Sequence, residues 1–109
     1  MRQRQPYLAA AAMLNAALLG AVDGAECGLP QLGDADAQPN TDRHTPHTLA
    51  EALDAFEADS VLCEALGADL VRAYLALRRD DVARWAATGE PFDAATVTDW
   101  ELAQYLPFY

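Results

Sequence analysis

The 109-residue sequence predicts an all-α fold of about four to five helices with one long loop. Three observations carry that expectation. Alanine makes up about a fifth of the residues, which suits helices. Apolar residues recur at three- and four-residue spacing in several windows. No run alternates apolar and polar residues for long enough to make a useful strand.

The first helix is expected from about Pro6 to about Cys27, with Gly28 as its C-cap. Pro6 suits a first helical turn. Leu14, Leu18 and Ala21 fall on one side, and Leu8, Ala12, Asn15, Leu19 and Val22 on another. A helix apolar on nearly all sides is one buried by close neighbours. The same run has a rival reading as a secretory leader: Arg2 and Arg4 precede it, and Val22-Asp23-Gly24 is a tolerable cleavage context. It falls short of the ~20 apolar residues of a membrane span.

Residues 28–47 hold Pro30, Gly33, Pro39, Asn40 and Pro46 without periodicity and are expected to form a surface loop. Residues 48–109 then read as helical. Thr48 and Glu51 form a capping box, and Leu49, Leu53 and Phe56 mark one face of the helix it opens. Asp59 or Ser60 caps a short helix that buries Val61, Leu62 and Leu66 and ends at Gly67. The longest helix of this group follows and closes at Gly89. Leu70, Val71, Tyr74, Leu75, Leu77, Val82 and Trp85 give it a broad apolar stripe, while Arg72, Arg78, Arg79, Asp80 and Arg84 are expected to face water. Thr98 and Glu101 form a second capping box, and Pro107 stops the final helix.

The net charge is −10, lysine is absent, and all seven positive charges are arginine. Such a chain repels phosphate backbones, so nucleic acid is not expected as a partner. The composition suggests a GC-rich bacterial genome. Cys27 and Cys63 are expected to be reduced thiols, since one distant pair makes no disulfide framework.

The chain shows no nucleophile elbow and no Gly-rich phosphate loop. His44 and His47 sit three apart near Asp42, but Pro46 lies between them and no thiol or carboxylate cluster completes a metal site. The pairs Asp34/Asp36 and Asp80/Asp81 read as solvated charge. Trp85, Trp100 and Tyr105 read as core anchors. No catalytic, cofactor-binding or metal-ligating residue is assigned.

Three stretches resemble a known family. "QPYLAAAAMLNAALLGAVDG" looks like the helix opened by Asn-Pro-Tyr-Leu-Ala in the catalytic domain of glutamine synthetases. "PHTLAEALDAFEADSVLCEALGADLVRAYLALRRDDVARW" resembles that family's Pro-x-Thr/Ser-Leu segment, its alternating Ala-Leu, its Leu-Gly and its Tyr-Leu-x-x-Arg helix. "VTDWELAQYLPFY" is similar to the family's ending, in the form typical of bacterial glutamine synthetase-like and γ-glutamyl-amine synthetase-like members. The order and approximate spacing match over almost the whole chain except residues 28–47.

The resemblance implies that residues 1–109 are the C-terminal segment of a glutamine synthetase-type catalytic domain, with 1–27 an interior helix of a cytoplasmic enzyme and not a leader. The parent fold it implies is α/β. Its activity is ATP-dependent: Mg²⁺ or Mn²⁺ assists phosphorylation of the glutamate γ-carboxylate, and ammonia or an amine then attacks the acyl phosphate. The metal- and phosphate-holding residues of the family lie upstream of this chain. The last of them, an acidic residue and an arginine, would fall in Met1–Gln5. That stretch has no acidic residue, and Gln5 stands in place of the family's Asn, so no role passes to Arg4. The resemblance therefore implies a segment without activity of its own, whose partners are synthetase subunits of a family that forms ring oligomers, with neither nucleic acid nor membrane involved. Alternatives are a small helical protein that docks on an intact synthetase subunit, and a secreted helical protein with a leader at residues 1–24.

Overall fold

A computed structural model describes residues 6–30, 32, 33, 45–93 and 95–108. Among them the chain folds as α1 (Pro6–Val22), α2 (Leu49–Ala58), α3 (Ser60–Leu66), α4 (Ala68–Thr88), α5 (Asp99–Tyr105) and a closing 3₁₀ turn (Leu106–Phe108), with no strand. This is the all-α class the sequence predicts.

The helix ends follow the local chemistry. Thr48 Oγ1 accepts from the Glu51 N–H, and Glu51 Oε2 reaches back to the N–H of Thr48, so both capping-box bonds start α2. Asp59 ends α2 and begins α3, its carboxylate accepting from the Leu62 N–H at 3.0 Å. Gly67 turns the chain from α3 into α4 at φ +95°, a conformation that a Cβ would strain. The second capping box, Thr98 with Glu101, opens α5.

The first helix needs correction. It stops at Val22, not Cys27, because the chain turns at Asp23 and at Gly24, whose φ of +64° is left-handed. Nor is it a buried helix within this chain, since no α1 residue is buried. It packs on α3, and its Leu8, Ala12, Asn15 and Leu19 side is half-covered. Asn15 satisfies its side-chain amide locally by donating to the Ala11 carbonyl at 2.8 Å. The Leu14–Leu18–Ala21 side faces outward, with Leu14 71% exposed. No helix is long and apolar enough to cross a membrane among the described residues.

The core is small. Leu53 of α2 and Val71 and Leu75 of α4 are buried, and Leu49, Phe56, Cys63, Leu66, Tyr74 and Val82 pack around them. Phe56 and Tyr74 meet edge-to-face at 6.0 Å. Outside the core, Arg79 clamps α4 to α2 by pairing with both Asp54 and Glu57. Leu70 and Leu77, expected in the stripe of α4, are exposed. Cys27 and Cys63 are free thiols, and Cys63 Sγ donates to the Phe56 carbonyl.

Little of the surface is covered. The accessible area is 8841 Å², half as much again as the ~5,900 Å² of a compact monomer of this mass. The radius of gyration, 16.5 Å, likewise exceeds the ~13 Å of a compact domain.

Candidate functional site

An open groove of about 720 Å³ lies between the helices. Leu8 and Ala12 of α1, Phe56 of α2, Tyr74 and Trp85 of α4 and Trp100 of α5 line it. Its volume falls in the range of ligand pockets, but its walls are apolar and it is not enclosed.

The polar groups at its edge are already committed. Arg78 donates from Nη1 to Asp81 Oδ2 at 2.7 Å, and both residues are buried. Asp81 also accepts through Oδ1 from Arg84 at 3.2 Å. The Arg78 guanidinium lies over the Tyr74 ring, 5.6 Å from its centroid. Glu101 is bound within the α5 capping box. Tyr105 places its hydroxyl, buried and without a hydrogen bond of good geometry, near Asp81. Burial, and then the Asp81 charge, push the Tyr105 phenol above its ordinary pKa. Asp93, exposed, is held below the usual carboxylate range because it accepts from the Thr96 hydroxyl and the Ala95 N–H.

Two expectations are overturned here. Arg78 does not face water, and Asp81 is not solvated charge. Val71, Leu75, Arg78, Val82 and Trp85 follow one another at three- and four-residue steps, so Arg78 falls inside the apolar stripe. Asp81, three residues on, is the partner that makes its burial tolerable. That spacing was the available signal. Asp80, by contrast, is exposed and pairs with Arg84. His47 is exposed at the start of α2, its backbone N–H donating to Glu51; His44, Asp42, Asp34 and Asp36 lie outside the described residues. Trp85 and Trp100 do anchor a junction, meeting edge-on at 5.5 Å, with Tyr105 against Trp100 at 6.1 Å.

A family model, the catalytic domain of glutamine synthetase, matches residues 3–105. The chain belongs to the glutamine synthetase family. It is 36% identical over 107 residues to a glutamine synthetase of Methanocaldococcus jannaschii, a match covering 93% of this chain and 22% of that protein. A glutamine synthetase of Methanococcus maripaludis is 34% identical over the same shares. The gamma-glutamylethanolamide synthetase of Streptomyces coelicolor is 35% identical over 97 residues, 89% of this chain and 19% of that protein. The chain thus spans about a fifth of the length of these curated relatives. No solved structure matches it.

Among the described residues, no three of His, Cys, Asp and Glu stand together so as to hold a metal ion. The Mg²⁺ or Mn²⁺ ions that the family resemblance implies therefore find no fitting donor set there.

Proposed function

We propose that this chain is the C-terminal helical part of a glutamine synthetase-type ligase, which joins ammonia or an amine to the γ-carboxylate of glutamate at the expense of ATP. It supplies packing surface to that enzyme and makes no amide by itself. One observation carries the reading: the catalytic-domain match runs through nearly the whole chain, yet the chain covers only 22% of the length of a full glutamine synthetase it resembles. The loose packing supports it, since α1 leaves Met13, Leu14, Leu18 and Val22 exposed. The catalytic-domain match covers α1, which supports reading it as a domain helix and a cytoplasmic location for the protein.

Calorimetry with Mg-ATP and a γ-glutamyl transfer assay on the isolated chain test this reading. Neither ATP binding nor turnover above background is expected. Turnover would overturn it.

A second reading is favoured by the exposed outer face of α1: the chain docks on a synthetase subunit and regulates or completes it. Co-purification with a synthetase subunit supports docking, whereas a stable monodisperse monomer argues against it.

A further inference from the structure

The attachment of α5 differs from that of the other helices. Along its length α5 packs closely only on the 3₁₀ turn that follows it, whereas α2, α3 and α4 pack on one another. Its backbone hydrogen bonds run within itself and its capping box. Two side-chain contacts reach α4: Trp100 against Trp85, and Tyr105 beside the buried Asp81.

Those contacts sit over a feature that is costly to uncover unevenly. Asp81 holds both Arg78 and Arg84, and the Arg78–Asp81 pair is almost wholly removed from water. Residues on both sides of these contacts line the groove, among them Trp85 and Arg78 of α4 and Trp100 and Glu101 of α5. Segments with few buried apolar contacts open at lower free energy than the rest of a fold.

We propose that α5 is a detachable strap, closed on α4 by the Trp85–Trp100 contact and by the Tyr105 side chain beside Asp81, whose release opens the apolar groove that both helices line and bares the Arg78–Asp81 pair. Closure rests on two aromatic side chains of one short helix, while the α2–α4 core rests on Leu53, Val71 and Leu75. The strap therefore opens while that core stays intact. Opening requires no chemistry and no ligand; anything that prefers the open groove shifts the population toward it.

Trp85 and Trp100 are the only tryptophans of the chain, so their coupled circular-dichroism signal reports the closed strap, independently of the helical signal. The full chain is titrated with urea, following both signals in the wild type and in Tyr105→Ala, which removes the ring that packs on Trp100. The expected result is loss of the tryptophan couplet at a lower urea concentration than the helical signal. In Tyr105→Ala the couplet midpoint shifts lower still, while the helical midpoint does not move. Coincident loss of both signals in the wild type overturns the strap. So does absence of the couplet before urea is added. An unshifted couplet midpoint in Tyr105→Ala overturns the role given to Tyr105.

Discussion

Replacing Asp81 by Asn is the sharpest perturbation of this fold. The Arg78–Asp81 contact is 2.7 Å, which at an effective dielectric constant of ~20 corresponds to a gross attraction of about 6 kcal/mol. Desolvating two ions costs several kcal/mol each, so the intact pair contributes little net stability. Breaking it is another matter. Arg78 is 4% exposed, and among the described residues Asp81 is the carboxylate that pairs with it; without that partner its charge is buried at a cost of about 3–5 kcal/mol.

The two ends of the pair are not equivalent. Arg78→Met leaves Asp81 with Arg84, 3.2 Å away, whereas Asp81→Asn leaves Arg78 with no acid. Asp81→Asn is therefore the more damaging single change. The double variant Arg78→Met/Asp81→Leu removes both charges at once and lies near wild-type stability, with Arg84 still paired to Asp80 in solvent. Urea unfolding followed by helical circular dichroism measures all four proteins. The reasoning fails if Asp81→Asn costs less than about 1 kcal/mol, the range of an exposed pair, or if Arg78→Met costs more than Asp81→Asn.

Three further outcomes follow from the same contacts. Leu53→Ala removes the most buried apolar side chain, and a loss of about 2–5 kcal/mol consumes most of the stability available to so small a core; thermal unfolding should lose its cooperative transition. Thr98→Ala costs about 1 kcal/mol at the start of α5 and lowers the midpoint of the tryptophan couplet, whereas Thr48→Ala costs a similar amount at α2 and lowers the helical midpoint; equal effects of both on both signals would contradict the separation. The folded-state pKa of Tyr105 lies above its unfolded value of 10.0, so its contribution is fully present below pH 10.0 and is lost as pH rises through the folded pKa. An alkaline titration should erase the couplet as tyrosinate absorbance grows, and Tyr105→Phe should remove that dependence.

Local signals were legible and long-range ones less so. The two Thr-x-x-Glu boxes, the short helix begun by Asp59 and the stop at Gly89 could be read directly, because capping is settled within four residues. The end of α1 was missed because the apolar pattern continues to Ala25, while the chain turns at Gly24. The charge of Arg78 points to solvent, but its place between Leu75 and Val82 in the stripe turns it inward, and Asp81 supplies the counter-charge. The groove has no local signature, since its sides come from helices far apart in sequence. The family resemblance was legible in three stretches in order, and the match over residues 3–105 bears it out.

On the proposed function, the exposed apolar side of α1 packs against the rest of a synthetase. Hydrogen exchange on the isolated chain tests that most directly. The amides of Pro6–Val22 should exchange far faster than those around Val71 and Leu75 in α4, whose side chains lie in the core. Protection of α1 equal to that of α4 would show a helix already satisfied within this chain and would contradict the account.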